Sequence, residues 1–165
     1  MKARQLIVGI LAWALVLPAL AANRGDVPMA GNLQAEGRQA ERRAVPIMLV
    51  FTSPFCVYCD RVKAQYLGPM VADPAYRDKV IIRQIEAGGD LALIGFDGRR
   101  TTHGAYAASQ KIVMVPTIKV VDAQGRELAE PIVGFLTPDF YFGYIQDAMN
   151  AGLEKMRQGS GTGSR

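Results

Sequence analysis

The chain is poor in the residues that build metal clusters and disulfide-rich scaffolds. Its 165 residues include two cysteines, one histidine and one tryptophan. Two cysteines cannot form a disulfide framework, and a chain of this length does not need one to stabilise its core. A closed structural zinc site takes four ligands, and only His103 could join the two cysteines as a nitrogen or sulfur donor. The sequence therefore predicts one soluble globular domain without a metal site.

Features that mark several special classes of protein are also missing. Half of the residues are apolar, 21% are charged and glycine shows no period, which excludes collagen-like, disordered and multi-pass membrane proteins. The pairs Arg42-Arg43 and Arg99-Arg100 are isolated, so we interpret them as solvated ends of elements and not as a nucleic-acid surface. No glycine-rich phosphate loop follows a strand, so no organic cofactor is predicted.

The first residues indicate export. Lys2 and Arg4 precede an uncharged apolar run at residues 6–17, and Ala19-Leu20-Ala21 has the small-x-small pattern of a signal peptidase site. The apolar stretch is shorter than the ~20 residues of a spanning helix, which favours cleavage over an uncleaved anchor. No cysteine lies near the cleavage site, so the chain is not a lipoprotein. We predict a Sec-type signal peptide over residues 1–21 and a periplasmic location, where disulfides persist.

The rest of the chain alternates between strand and helix patterns. Helices are predicted at residues 33–43, from the cysteines to residue 67, briefly after Asp73-Pro74, at 104–111 and from Thr137; strands are predicted at 46–51, 80–85, 117–121 and 127–133. Gly68-Pro69 should stop the second helix, and residues 87–100 are expected to be mostly loop. The pattern predicts an α/β domain at 46–156 with a mixed central β-sheet flanked by helices. Residues 22–45 form a leader with a short helix, and 157–165 a flexible tail.

Both cysteines lie in one motif, Phe55-Cys56-Val57-Tyr58-Cys59-Asp60, after a buried-type strand and at the start of a helix. Free N–H groups and the dipole at a helix N-terminus stabilise a thiolate at Cys56. Cys59 lies one turn further on and shares a face with Val62 and Tyr66, which should bury it. The outer thiolate would attack a substrate disulfide, and the inner thiol would resolve the mixed disulfide.

Less active roles are also conceivable for these residues. A structural disulfide across two intervening residues closes almost no chain and stabilises little. A CxxC motif alone is a weak signal, but after a strand, at a helix start and in an exported protein it indicates redox chemistry. We interpret His103 as a polar residue near a helix start, and Tyr66 and Tyr106 as packing residues.

Three segments together resemble the thioredoxin superfamily: the strand followed by Thr52-Ser53-Pro54-Phe55-Cys56-Val57-Tyr58-Cys59, then Val115-Pro116-Thr117, then Gly134-Phe135 before the last helix. The resemblance covers about residues 46–156. Within the superfamily, the Cys-x-Tyr-Cys pattern and the Asp73-Pro74 segment are similar to exported thioredoxin-like proteins of the SoxW type, which are associated with bacterial sulfur metabolism. The resemblance implies a thioredoxin-like fold and thiol–disulfide oxidoreductase activity.

The resemblance also implies where a substrate would bind. Pro116 would be a cis-proline facing the active site, leaving the Val115 backbone free to pair with an extended substrate; an ordinary trans proline at a strand start is the alternative. The remaining groove residues would be Val57, Tyr58 and Gly134, the glycine permitting close approach.

Several positions depart from the thioredoxin pattern. Val50 stands where thioredoxins carry a buried aspartate, Phe55 replaces a tryptophan, Val57-Tyr58 replaces Gly-Pro, and Asp60 replaces a lysine. These neighbours tune thiolate stability and therefore the reduction potential. Helix-stabilised Cys56 favours an oxidant, and Asp60 opposes that if its carboxylate faces the sulfur. The direction of electron flow stays open at this point.

Four functions are compatible with the sequence. The favoured one is a periplasmic reductant of exported protein disulfides, recharged by a membrane electron-transfer partner. A disulfide-introducing oxidase would usually carry a helical insertion, and residues 87–100 are too short and glycine-rich for one. An isomerase would want a dimerisation domain, for which residues 23–44 are too small. The fourth is a non-catalytic binding module, such as a metal chaperone.

Overall fold

A computed structural model of the protein describes residues 26–161. The predicted signal peptide lies outside these residues. Within them, no helix is both long and apolar enough to cross a membrane.

A four-stranded mixed sheet forms the centre of the molecule, in the order β2-β1-β5-β6. The strands are β1 (Ile47–Thr52), β2 (Ile81–Glu86), β3 (Ala92–Ile94), β4 (Arg100–Thr102), β5 (Thr117–Val121) and β6 (Ile132–Val133). β1 pairs in parallel with β2 and antiparallel with β5, and β5 pairs antiparallel with β6. All six residues of β1 are buried, as expected for a strand covered on both faces. The predicted mixed sheet is confirmed.

Helices cover both faces of this sheet. They are α1 (Leu33–Arg43), α2 (Val57–Val62), α3 (Gly68–Ala72), α4 (Pro74–Arg77), α5 (His103–Ser109) and α6 (Pro138–Gly161), with a π-helical turn, Lys63–Leu67, between α2 and α3. Met48 and Val50 pack in a core cluster with residues of α2, α3 and α6. Ile47 and Leu49 pack in a second cluster with residues of α1 and α5. Alternate side chains of β1 therefore pack into the two core clusters on opposite faces of the sheet.

Gly68-Pro69 does not stop the second helix, which corrects the prediction. The helix continues from Val57 to Ala72 because the π-helical turn intervenes. The Gly68 N–H donates to the Lys63 carbonyl, five residues back. An ordinary α-helical turn would clash with a proline ring at Pro69, and the wider π turn accommodates it. The predicted cap at Asp73 is confirmed, since its carboxylate accepts from the Ala75 N–H.

The segment at residues 87–100 is more ordered than predicted. β3 and β4 form an antiparallel hairpin that joins β2 to α5. The Phe96 ring lies against Gly37 of α1 and Gly125 of the turn after β5. This packing holds a glycine-rich hairpin whose sequence shows little strand alternation.

The end of the chain contains two further differences. The predicted strand at 127–133 is reduced to the bridge between Val121 and Glu127 and the two residues of β6, because Pro131 lacks a donor N–H for the ladder. α6 begins at Pro138 as predicted but continues to Gly161. The first residues of the predicted flexible tail are therefore helical.

The leader adds a partner to the sheet edge. Met29 forms a parallel bridge with Gln84 of β2. The Ala30 N–H donates to the Gln84 carbonyl at 2.9 Å, and the Gln84 N–H donates to the Pro28 carbonyl at 2.8 Å. Val27 and Ala30 are buried, so the leader is part of the fold.

Candidate active site

The two cysteines form a disulfide at the start of α2, with an S–S distance of 2.08 Å and a Cα–Cα distance of 5.2 Å. Cys56 is the N-cap residue, and its Sγ accepts the Cys59 N–H at 3.1 Å. Cys56 is partly exposed, whereas Cys59 is 1% exposed. The expected burial of Cys59 is confirmed. This asymmetry leaves one sulfur within reach of another protein and shields the other.

The helix N-terminus supplies the electrostatics of the site. N–H groups at the first turn of a helix lack carbonyl partners within the helix, and together with the helix dipole they favour an anion. The Cys59 N–H already points at Cys56 Sγ. A thiolate formed at Cys56 on reduction would therefore keep a charge-assisted hydrogen bond.

The Val115–Pro116 peptide bond is cis, as the resemblance implies. Pro116 is buried and directly precedes β5. Its carbonyl accepts the Gly134 N–H at 2.8 Å, and Thr117 Oγ1 donates to the Met114 carbonyl at 2.8 Å. The first bond ties the proline turn to the segment that follows β6, and the second closes the turn itself.

The backbone conformation at Gly134 favours glycine. Its φ of +77° lies in the left-handed region, and a Cβ there would approach Met114 Sδ to 3.3 Å. Side chains with a Cβ rarely adopt that backbone conformation. The signal for this residue in the sequence was its type and its place before Phe135.

Aromatic contacts connect α2 to the same segment. The Tyr58 ring lies 6.0 Å from the Phe135 ring, and the Arg61 guanidinium lies 5.8 Å from the Phe135 centroid. Phe135 follows Gly134, whose N–H bonds to the Pro116 carbonyl, so these contacts link α2 to the segment that holds the proline turn. Val57 is exposed beside Cys56, while Val115 is partly buried against the α1–α5 core cluster.

Sequence reasoning missed a set of exposed apolar side chains close to these residues. Phe55, Val113, Met114 and Leu136 are all largely exposed. Phe55 also has a φ of +59°, which is unusual for an aromatic residue. Strained and exposed apolar residues next to a reactive group are typical of binding surfaces. No spacing pattern could have revealed them, because exposure depends on the tertiary packing.

Charge, burial and ring packing define the surroundings of the motif. Asp60 forms an ion pair with Lys63 at 3.1 Å and is largely exposed. Val50 is fully buried. Burial raises the pKa of Tyr141 to about 12, so the hydroxyl of this buried tyrosine on α6 stays protonated near neutral pH.

Tyr66 packs against Phe135 and Tyr141, and Tyr106 stacks on Phe51, which confirms both as packing residues.

His103 is a structural residue at the start of α5, as predicted, and is buried. Its Nδ1 accepts the Glu86 N–H at 3.1 Å, so Nε2, 2.8 Å from the Ala30 carbonyl, carries the hydrogen. The ring links β2, α5 and the leader. In the described part of the chain, no three His, Cys, Asp or Glu side chains gather as a metal ion would require.

The mixed sheet, the helix-capping disulfide and the cis-proline define a thioredoxin-like domain. Residues 33–148 match the family described as "Thioredoxin-like domain", and the chain belongs to that family. None of the curated protein sequences compared with it matches.

Solved structures share the fold at low sequence identity. A DsbH oxidoreductase aligns with a TM-score of 0.51 and 14% identity, covering 84% of this chain and 95% of that one. The C-terminal domain of DsbD from Neisseria meningitidis, in its oxidised form, aligns with a TM-score of 0.47 and 19% identity, covering 73% of this chain and 98% of that one. The periplasmic thioredoxin SoxS from Paracoccus pantotrophus aligns with a TM-score of 0.43 and 17% identity, covering 64% of this chain and 97% of that one.

Proposed function

We propose that this protein is a periplasmic thiol–disulfide oxidoreductase of the SoxW type that reduces disulfides in exported proteins. The observation that carries the proposal is the unequal environment of the two sulfurs. Cys56 is partly exposed and accepts a helix N–H, while Cys59 is buried. An attacking thiolate needs access and stabilisation, and a resolving thiol needs protection from competing reactions.

The proposed reaction starts from the reduced protein. The Cys56 thiolate attacks one sulfur of the substrate disulfide, so that a Cys56–substrate bond forms as the substrate S–S bond breaks and one substrate thiolate leaves. Cys59 then loses its proton and attacks Cys56 Sγ, which releases the second substrate thiolate. The substrate has gained two electrons, and the protein ends with the Cys56–Cys59 disulfide.

We infer that the substrate chain lies across Val57, Tyr58, Val115, Pro116 and Gly134. The Val115 N–H and carbonyl would pair with an extended substrate backbone. Exposed Val57 and Tyr58 would contact its side chains, and Gly134 would allow close approach. We further propose that residues 1–21 are removed on export, that 46–156 form the catalytic domain, and that a membrane electron carrier recharges it.

The direction of electron flow is tested by the equilibrium potential of Cys56–Cys59 in a glutathione buffer without zinc. We expect a value near that of thioredoxin, about −270 mV, which makes the protein a reductant. A value near −120 mV would make it an oxidant and overturn the proposed direction.

Single cysteine variants test the division of roles. Cys59→Ser should accumulate a mixed disulfide through Cys56, visible by mass spectrometry after incubation with a disulfide-bonded protein. Cys56→Ser should form none and should lose activity. Full biological activity of Cys56→Ser would refute the redox function.

A further inference from the structure

We propose that the cleft between the π-helical turn and α6 is a second binding site, which takes an apolar side chain of the substrate protein a few residues from its reactive cysteine. This proposal rests on the proposed function. The cleft has a volume of about 340 Å³ and is lined by Gln65, Tyr66, Pro69, Met70, Asp73, Tyr76 and Phe142. The space is large enough for an indole or phenyl group.

The lining presents ring faces and apolar atoms to the cleft. The Tyr66 hydroxyl donates to the Pro138 carbonyl, and the Tyr76 hydroxyl accepts from Gln146 Nε2. Both hydroxyls are bound within the chain, Tyr66 already packs against Phe135 and Tyr141, and Lys79 lies over the Tyr76 ring. Phe142 is therefore the ring that offers most of its surface to a bound group. Phe142 is 37% exposed and stacks on Tyr66 with an interplanar angle of 18°. Another aromatic ring can extend this stack.

The cleft is connected to the disulfide by a row of aromatic rings. Tyr58, two residues after Cys56, contacts Phe135 at 6.0 Å. Phe135 contacts Tyr66 at 6.2 Å, and Tyr66 contacts Phe142 at 6.2 Å. The row spans at most roughly 18 Å, which about five extended residues cover at ~3.3 Å each. A substrate cysteine at Cys56, which lies before the start of this row, therefore places a side chain about five or more residues away within reach of the cleft.

The π-helical turn that accommodates Pro69 also forms one wall of the cleft. Gln65 and Tyr66, which line the cleft, belong to that turn. π turns inside α-helices are often found at functional sites. The lining is mostly apolar, with polar side chains at Gln65 and Asp73, a composition that is common in ligand sites. The occupant that fits is an aromatic or large aliphatic side chain.

Peptides that carry a 5-thio-2-nitrobenzoate mixed disulfide on one cysteine test the proposal. Tryptophan is placed three to eight residues from the cysteine, on either side, and each peptide is compared with its alanine counterpart. The reduced protein attacks the peptide sulfur through Cys56 and releases coloured thionitrobenzoate. We expect the tryptophan-to-alanine rate ratio to peak near tenfold at a spacing of about five residues, equivalent to about 1.4 kcal/mol.

Two variants and one matched control make the test specific. Phe142→Ser removes the stacking face and Gln65→Trp fills the cleft from an exposed position, so both should lower the peak ratio to near one. Tyr144→Ser removes another exposed aromatic ring of α6 that is outside the cleft and should leave the ratio unchanged.

The contrary outcomes are distinct. A ratio near one at every spacing, or a peak that survives both cleft variants, would overturn the proposal. A wild-type dimer in sedimentation velocity that Phe142→Ser dissociates would show a second copy in the cleft and also overturn it. Failure to release thionitrobenzoate from any peptide, alanine forms included, would instead refute the proposed function.

Discussion

At the scale of single residues, His103 shows how a chemically versatile side chain can be committed to structure. Its two ring nitrogens hold the Glu86 N–H and the Ala30 carbonyl, which belong to β2 and the leader. Both partners are backbone groups that would otherwise have to find other partners in a buried place. Only the neutral ring can accept at Nδ1 and donate at Nε2. The residue therefore joins two segments of the fold.

Replacing this ring should be costly. We expect His103→Phe to lower the free energy of unfolding by about 2–4 kcal/mol, because two buried backbone groups lose their hydrogen bonds. Urea denaturation followed by circular dichroism measures the change. Ser109→Ala on the exposed side of α5 serves as the control and should cost less than about 0.5 kcal/mol. A loss below about 1 kcal/mol in His103→Phe would contradict the structural role.

The sequence predicted roles for residues that are marked by their immediate neighbours in the chain. It did not predict roles that depend on contacts with distant segments. Cys56 and Cys59 were found from their type, spacing and position after a strand. The two partners of His103 lie 17 and 73 residues away, and no local pattern records such distances. The exposure of Phe55 likewise depends on the absence of a covering element. Residue chemistry was therefore predictable, and residue environment was not.

At the scale of elements, α1 is held against the rest of the fold through a glycine. A Cβ at Gly37 would lie 2.3 Å from the Ala123 carbonyl oxygen. Real Cβ atoms do not approach backbone so closely, so the helix would have to move. The predicted helix at 33–43 was right in spite of Gly37 because tertiary packing outweighs the low helix propensity of glycine.

Gly37→Ala should destabilise the protein although alanine is the better helix former. The propensity gain is about 1 kcal/mol, and the steric cost of displacing α1 is about 1–3 kcal/mol or more. We expect a net loss of about 1–2 kcal/mol by chemical denaturation. Gly143→Ala in α6, where a Cβ meets nothing within 4 Å, is the matched control and should gain up to about 1 kcal/mol. Equal effects of the two substitutions would disprove the steric explanation.

The link between α1 and β2 also depends on charge. Glu36 Oε1 pairs with Arg83 Nε at 2.7 Å, while Oε2 is buried and has no hydrogen-bond partner among residues 26–161. Burial raises the pKa of the Glu36 carboxyl above its ordinary value, although Arg83 acts in the opposite direction. Folding therefore disfavours the ionised carboxylate of Glu36 relative to its protonated form.

The sign of the pH effect follows from linkage. A raised folded pKa means that the folded state binds the proton more tightly, so Glu36 contributes stability as pH falls through that pKa and loses it as pH rises. We expect the wild type to gain stability relative to Glu36→Gln between pH 7 and pH 4, measured by urea denaturation at each pH. The assignment would be contradicted if the unfolding free energy of the wild type minus that of Glu36→Gln stayed constant or decreased toward acid pH.

Elements were predictable where their start or end carries a strong signal. Four of the five residues of Thr117–Val121 are β-branched, Lys119 being the exception, and α6 begins at a proline after threonine. The β3–β4 hairpin was missed because its strands are three residues long and Phe96 anchors it through contacts distant in sequence. The helix across Gly68-Pro69 was missed because a π turn leaves no simple mark in the sequence.

At the scale of the whole molecule, the reduction potential of the disulfide and the free energy of unfolding are linked by one thermodynamic cycle. Cys56 and Cys59 are separated by three positions, so the disulfide restricts the unfolded chain very little. A difference in unfolding free energy between the oxidised and reduced proteins must therefore arise mainly in the folded state. In a strong oxidant the reduced form is the stabilised one.

For the proposed reductant we expect the oxidised protein to be at least as stable as the reduced one. Urea denaturation with and without excess dithiothreitol measures the difference directly. A reduced form more stable by several kcal/mol would indicate an oxidant, in agreement with a high potential and against the proposed direction. Cys56→Ser, which cannot form the bond, controls for effects of the reductant itself.

The pairing of the leader with β2 has a consequence for how the protein can be shortened. The match to the thioredoxin-like family begins at residue 33, after the segment that bonds to Gln84. A fragment trimmed to the family boundary would keep the Cys56–Cys59 motif yet present the unpaired edge of β2 to its neighbours. Such borders join one molecule to the next. Aggregation of that fragment would then indicate a poorly chosen boundary and not a defect in the Cys56–Cys59 motif.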